Sequence, residues 1–499
     1  MDKWFTTNEW VWLIFSAAIL ALGYPPLPLG FFAHFALVPI LFIVEKKGLK
    51  ETFKIGFFWG LLSSLFLLHW ISYVTVIGTV LACFILALYP AFILWLYRLL
   101  AIKISKIVAY ALFPFLWVGM EFIRGWGELG FPWADLAHTQ IKYPVFTQFA
   151  ELTGSRGISF WVVILNLFFF GLVRNIKQKS RFIFIFIIIV AYTIPFIYGV
   201  KELKRKWRPK DEFRVALLQG NIDPRKKWDE SFQWENFESY LQMVSEIGDK
   251  VSLVIWPETA TANYLRRELR FTTKLVSLID SVGVPNLVGS LDYEYINGEL
   301  HEYNSAVLIY PGGEWVWYAK NHLVPFSEHF PFDQYVPILR KLNKAVEIGQ
   351  GEFTPGKTKT IMRVDKKIFG TIICFESIFQ ELVRDFVLKG AEFLVVITND
   401  GWFGKSAGPY QHKEIAKLRA IENRIYIARC ANTGISCIID PTGKEIAQIP
   451  LNKKGYLIGS LGLKRETTFF TRHGDIISRL SFGVISAALL WIIIKHFIG

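Results

Sequence analysis

Long apolar runs broken by short polar stretches fill the chain from its N-terminus to about Val200. A helix that crosses a bilayer needs about 20 mostly apolar residues. The pattern predicts seven such spans, at 8–23, 27–45, 53–76, 79–102, 105–124, 157–174 and 181–200. The fifth is the least regular, because Pro114 interrupts it and Glu121 and Arg124 crowd its end. The first lacks a strongly basic start and an A-x-A site, and more spans follow at once, so it reads as an anchor rather than a cleaved signal. From about 211 to 470 the pattern changes. Apolar, β-branched runs at 213–218, 251–255, 286–290, 305–310, 368–373, 393–398, 425–430 and 435–440 predict strands, and 231–248, 265–282, 377–389 and 408–423 carry helical spacing. Strands alternating with helices, with some hairpin-like pairs, predict an α/β sandwich of layers rather than a repeat or a barrel. A last apolar run, 476–498, predicts a C-terminal span. The chain thus divides into a membrane domain, 1–205, a domain of mixed composition, 211–470, and a final membrane helix.

Composition agrees with this division. Hydrophobic residues make up 53% of the 499 and charged residues 19%, a balance soluble proteins seldom have. The net charge of +13 raises nucleic acid as a partner. However, the basic residues cluster beside apolar runs, as at Lys46, Lys47, Lys50 and Lys54, which favours anionic lipid headgroups instead. With the N-terminus inside, the inner loops hold those lysines, then Arg98, Lys103 and Lys106, then Arg174, Lys177, Lys179 and Arg181. The outer loops around 24–28 and 76–79 hold none, and 125–156 holds few over a long stretch. The positive-inside rule therefore puts both termini in the cytoplasm and the 211–470 domain on the outer face. The basic run Lys201 to Lys210 goes against the pattern locally, where a large translocated domain begins and the rule weakens.

Three strand ends in the 211–470 domain carry reactive groups. VSLVIWPETA runs an apolar strand into Glu258 beside Trp256 and Pro257. A carboxylate shielded from water there holds a proton more readily, as a general base must; an acidic residue in the first turn of a helix is the competing reading. In WVWYAKNHLVPFSEHFPF, Lys320 ends an aromatic strand-like run. It is either a snorkelling surface lysine or a fixed cation for an oxyanion and a thiolate. In IFGTIICFES, Cys374 sits where a strand meets a predicted helix, so helix N-terminal amides are expected to lower its pKa. A buried core thiol, or a disulfide with Cys430 or Cys437, are the alternatives. No CxxC pair and no acidic or histidine cluster with metal spacing appears, so no cofactor or metal is expected. His34, His69, His138 and His412 stand alone in the sequence and read as packing or hydrogen-bonding residues.

Each motif is modest, but their order and spacing are specific. Glu in WPE, Lys before a His-Leu pair, then Cys in an I-C-aromatic-E turn closely resemble the nitrilase superfamily over roughly 212–465. That resemblance implies an α-β-β-α sandwich with a Glu258–Lys320–Cys374 triad. Seven N-terminal spans with one at the C-terminus, QGNI at 219–222 with Trp228, NHLVPFSE at 321–328 and TNDGWFG at 398–404 narrow the resemblance to the apolipoprotein N-acyltransferases and extend it over essentially the whole chain. It implies Glu258 as general base, Lys320 as oxyanion-side cation and Cys374 as nucleophile. Glu328 and Glu376 match acidic supports of the site. Trp228 and Trp402 match aromatics near the substrate entrance, and Phe403 adds a ring that helps keep water off a thioester. Phe375 stands where the superfamily commonly has Tyr, so a ring is kept and a hydroxyl lost. The implied chemistry is ping-pong acyl transfer in the bacterial inner membrane. The donor is a membrane phospholipid, and the acceptor is the N-terminal amine of an S-diacylglyceryl-cysteine apolipoprotein; membrane lipids are partners and nucleic acid is not.

Two other classes compete. A membrane-tethered amidase of small soluble amides needs only one span. A transporter or scaffold needs no intact triad, and transport paths usually place ionisable residues in the spans, which are scarce here.

Overall fold

The computed structural model describes residues 6–205, 212–333, 335–336, 352–463 and 466–498. The end of the basic run, 206–210, and the expected start of the second domain at 211 lie outside these. The chain forms two compact units, 1–205 together with 473–499, and 206–472.

In the first unit six described helices are long and apolar enough to cross a membrane: Leu49–Tyr73, Val76–Lys103, Lys106–Arg124, Ser155–Arg174, Arg181–Lys204 and Ile476–Lys495. Two further apolar segments are shorter, Thr7–Leu22 and Gly30–Val44. The pattern predicted an unbroken span over 27–45; instead a 3-10 turn, Gly30–His34, is followed by a separate helix, Val38–Val44, with Pro39 in its first turn. Backbone freed by such a break must find partners inside the protein. Asn166 supplies them, accepting from the Leu37 N–H at 2.8 Å and donating to the Ala33 carbonyl at 2.7 Å, while Ser16 donates to the Ala36 carbonyl. The irregular fifth span is one helix despite Pro114. Its ionisable end is buried and paired, with Arg124 bonded to Asp135 at 2.8 Å and Glu121 accepting the Leu136 N–H.

The second unit holds two six-stranded sheets. The first contains β1 (Glu212–Gln219), β2 (Leu253–Ile255), β3 (Asn286–Ile296), β4 (Glu299–Ile309) and β5 (Trp315–Ala319), and the second β6 (Ile361–Val364), β7 (Lys367–Ile373), β8 (Phe393–Thr398), β9 (Ile427–Ala431), β10 (Ser436–Ile439) and β11 (Glu445–Ile449). The last strand, β12 (Gly455–Gly462), crosses back, so the orders are β12-β1-β2-β3-β4-β5 and β11-β10-β9-β8-β7-β6. In each sheet a parallel trio, β1-β2-β3 or β7-β8-β9, forms the middle, with antiparallel strands outside it. Parallel strands are buried on both faces and read as continuous apolar runs, which is why these six were visible in the sequence. The sheets meet through aromatic stacking, Phe213 on Phe393 at 5.0 Å, and through the Cys430 thiol, which donates to the carbonyls of Leu218 and Ile255 across the gap. Helices Glu230–Ile247 and Leu269–Val282 bury Phe237, Tyr240, Phe271 and Leu275 in a cluster with Trp256 and Val254 of the first sheet. Helix Gln380–Leu388 lays Phe386 against Gly370 of the second. The result is the layered α-β-β-α sandwich.

Candidate active site

The sandwich brings the C-terminal ends of strands from both sheets together. Glu258 lies in turns three residues past β2, and the next helix begins only at Leu269, so it is not a helix-start residue. Lys320 follows β5 directly and is 1% exposed, which removes the snorkelling reading. Its Nζ donates to Glu328 Oε1 at 2.8 Å and lies 3.5 Å from Glu258 Oε1. Burial alone would drive the ammonium down, but the carboxylates of Glu328 and Glu258 and the Cys374 sulfur outweigh it and hold Lys320 well above its ordinary value. Asn304 of β4 bridges the two acids, donating to Glu258 Oε1 at 2.8 Å and Glu328 Oε1 at 3.1 Å. Glu328 also accepts the Val324 N–H at 2.9 Å, which fixes the loop that carries it.

Cys374 follows β7 with φ 52°, a left-handed backbone at a non-glycine residue. Such a conformation costs about 1–3 kcal/mol and persists only where its surroundings over-determine it. Here Glu376 supplies part of the constraint. One oxygen accepts the Ile373 N–H at 2.8 Å, and the other accepts the Tyr318 hydroxyl and the N–H groups of Asn321 and His322. This buried carboxylate therefore ties the residue before Cys374 to the residues flanking Lys320. Burial pushes it up to about 7 against the pull of those donors. The cysteine is free, as are Cys83, Cys430 and Cys437, so no disulfide competes for it.

One expectation is reversed. Helix amides were expected to lower the Cys374 pKa, yet only a short 3-10 turn, Cys374–Ile378, follows the strand, and the α-helix starts at Gln380. Burial and the Glu258 carboxylate push the thiol well above its usual range, while Lys320 and a hydrogen bond with Thr398 pull it back. The half-buried sulfur thus faces both the carboxylate that raises it, Glu258, and the lysine that the two share.

The loop carrying Glu258 is packed against β3 at Gly289. A Cβ there would stand 2.2 Å from the Pro257 carbonyl oxygen and 2.7 Å from the Glu258 Cα, so only glycine allows the approach. If Cys374 carries an acyl thioester as the resemblance implies, Gly289→Ala is expected to displace Glu258 and slow single-turnover acylation about 100-fold, measured by the mass of the intact protein over time. A wild-type rate would show that the loop tolerates the shift.

Three sequence candidates lie on loops around this cluster rather than in it. Trp228 is 39% exposed, just before the helix start capped by Asp229. Trp402 and Phe403 are half-buried on the 3-10 turn Asp400–Phe403 after β8, and Gly401 of that turn lies against Pro224. The loops holding Trp228 and Trp402 therefore touch. Asn221 and Asn432 join them to the second sheet, the Asn221 N–H donating to the Asn432 carbonyl at 2.9 Å.

Five further residues surround the site without having been singled out as part of it. Asn304 is one. Lys227, buried, donates to the carbonyl and hydroxyl of Thr259 and is pushed down to about 8 by burial, with Glu258 opposing. Asp400 and Arg429 form a fully buried ion pair at 2.7 Å, and His412, with a ring nitrogen 3.1 Å from the Cys374 carbonyl oxygen, joins them to the nucleophile. Arg429 carried a legible signal: a charge in the middle of the apolar strand IARCA has to be paired.

Comparison with known proteins adds independent findings. The family described as Carbon-nitrogen hydrolase matches residues 214–469, and the Apolipoprotein N-acyltransferase N-terminal domain matches 16–168. A Geobacter metallireducens protein named apolipoprotein N-acyltransferase is 34% identical over 94% of this chain and 92% of its own length. One of that name from Chlorobaculum tepidum is 30% identical over 94% of each. Among solved structures, Saccharomyces cerevisiae Nit3, a member of branch 10 of the nitrilase superfamily, overlays with a TM-score of 0.39 at 19% identity, covering 51% of this chain and 91% of its own.

Proposed function

The chain belongs to the apolipoprotein N-acyltransferase family, and from that premise we propose how its own residues perform the transfer. It is a membrane-bound acyltransferase of lipoprotein maturation, with lipoprotein and phospholipid as its substrates. Residues 1–205 and the helix 476–498 are its membrane part, and 211–470 its catalytic domain.

In the first half-reaction Glu258 takes the proton of the Cys374 thiol, and the sulfur attacks the sn-1 ester carbonyl of a phospholipid. The C–O bond breaks, Glu258 returns the proton to the departing oxygen, and a lysophospholipid leaves an acyl thioester on Cys374. Lys320 and backbone amides stabilise the oxyanion. In the second half the α-amino group of a diacylglyceryl cysteine attacks the thioester carbonyl. Glu258 accepts the proton lost by the amine and restores it to the sulfur, so an amide forms and the thiol is regenerated. The single observation that carries this reading is the strained Cys374 facing a lysine that two buried carboxylates lock in place. Trp228, Trp402 and Phe403 supply apolar cover that keeps water from hydrolysing the thioester. Purified protein given phosphatidylethanolamine vesicles and a diacylglyceryl lipopeptide should yield the N-acylated lipopeptide and lysolipid in equal amounts. Free fatty acid without N-acylated product would contradict transfer. The rival reading, hydrolysis of a small amide, is not favoured by the family.

Sidedness follows from the loop charges. The positive-inside pattern supports a catalytic domain on the periplasmic face of the inner membrane with both termini in the cytoplasm. With native cysteines removed, Ser231→Cys should react with a membrane-impermeant maleimide once the outer envelope is permeabilised. Lys50→Cys should stay unlabelled until the inner membrane is broken. The reverse order would invert the topology and put the lipoprotein out of reach.

A further inference from the structure

Beyond the triad, the backbone of Cys374 is held at its carbonyl by groups other than Glu376. The Cys374 carbonyl oxygen accepts from Ser377 Oγ at 2.9 Å and lies 3.1 Å from His412 Nε2, which donates to it when both ring nitrogens carry hydrogen, and the same ring nitrogen lies 2.9 Å from Ser377 Oγ. The other ring nitrogen, Nδ1, is 2.8 Å from Asp400 Oδ1. Asp400 in turn accepts from Arg429 at 2.7 Å, and Arg429 is fixed at its second amino group by the Ile435 carbonyl at 2.6 Å. Ser377, His412, Asp400 and Arg429 are all buried to within 1%. Arg429 holds the Asp400 carboxyl well below its usual range despite burial, so the chain is anchored on a permanent ion pair. Ser377, His412 and Asp400 are spaced as a serine-histidine-acid relay would be, but the serine points at a backbone carbonyl in the interior. It is not a second nucleophile.

The geometry points to His412 as a positioning residue for acyl transfer: by fixing the Cys374 carbonyl from a rigid Asp400–Arg429 base, it sets the orientation of the Cys374–Phe375 peptide. The peptide is planar and trans, so its N–H runs opposite to its C=O. Pinning the carbonyl into the buried chain therefore fixes both the left-handed backbone that presents the thiol and the direction of the following N–H. An amide in that position serves an oxyanion only if it is aimed to within a fraction of an ångström before the reaction begins. The ring comes from helix Gly408–Asn423 and the acid from the turn after β8. The nucleophile is thus referenced to two elements other than its own strand.

This inference rests on Cys374 being the acyl carrier, and one experiment separates the two. Full-length protein in detergent is mixed with phosphatidylethanolamine, and acylation of the intact protein is followed by mass over time as the lipid concentration is varied. If the wild type gains no acyl group, the carrier assignment fails. With the wild type acylated, His412→Ala is expected to lower the saturated rate about 100-fold while the lipid concentration giving half the rate stays within about threefold. His412→Gln, whose amide N–H can still reach the carbonyl, should recover at least about tenfold of the loss. Cys430→Ala, which removes a different buried donor from the same domain, is the reference for lost stability alone and should acylate within about threefold of wild type. A wild-type rate in His412→Ala, or a glutamine variant no better than the alanine one, would overturn the proposal. Should His412→Ala fail to fold, Ser377→Ala removes the other bond to the same carbonyl and decides the matter. A loss of about tenfold supports the proposal, and an unchanged rate sinks it.

Discussion

Cys374→Ala is expected to abolish acylation of the protein and all turnover, by on the order of 10⁴-fold or more, while the fold survives. The side chain removed is small, and its strained backbone is held by bonds from Glu376, Ser377 and His412 that do not involve the sulfur. Unfolding temperature should therefore change little. Cys374→Ser should be nearly as inert. A thiol already pushed up by burial and by Glu258 is within reach of a carboxylate base only because sulfur is far more acidic than a hydroxyl. Turnover assays with lipid and lipopeptide, beside thermal unfolding, check both claims. Substantial activity in the alanine variant would end the thioester mechanism.

The second large effect is at Lys320, where catalysis and stability have to be separated. Losing the cation should cost about 3–4 kcal/mol of transition-state stabilisation, the usual worth of an oxyanion donor. Yet Lys320 also neutralises two buried carboxylates, Glu258 and Glu328, and breaking such a pair from one side typically costs about 3–5 kcal/mol of fold. Lys320→Ala alone is therefore expected to lose both. Lys320→Met combined with Glu328→Gln removes one positive and one negative charge, so it should unfold closer to wild type while still forming thioester several hundredfold more slowly. Lys320→Arg should rescue poorly, since a planar guanidinium has no room at a site 1% exposed. Single-turnover acylation and thermal unfolding on the same preparations give the comparison. A wild-type acylation rate in the double variant would make the lysine purely structural.

How much of this was legible in the sequence depended on burial. The parallel strands β1, β2, β3 and β7, β8, β9 are apolar on both faces and announced themselves. Strands β6, β11 and β12 did not, because each lies at a sheet edge and is half exposed, so no apolar run marks it. The β3–β4 hairpin was read too short, since its outer half, Tyr293 to Glu302, is largely exposed. Yet its turn, Asn297-Gly298 with both residues left-handed, is the pair a tight hairpin prefers. Glu258, Lys320, Cys374, Glu328 and Glu376, which the structure brings into one cluster, were each singled out from local motifs. Asn304 and His412 were not, because each acts through residues far away in sequence: Asn304 on Glu258 and Glu328, and His412 on Cys374. The sign of the Cys374 shift was misjudged for a related reason. A strand-to-helix junction suggested helix amides, whereas the intervening 3-10 turn and the Glu258 carboxylate beside the sulfur are set by tertiary packing.

The most direct test of the central claim is a two-step mass measurement on protein purified from membranes. The intact chain should carry the added mass of one fatty acyl group, and peptide mapping should place it on Cys374 as a hydroxylamine-labile thioester. Adding a diacylglyceryl lipopeptide without further phospholipid should then move that acyl group to the peptide's N-terminal amine and return the chain to its unmodified mass. An acyl group on any other residue, or one that leaves only as free fatty acid in the presence of the lipopeptide, would contradict the account.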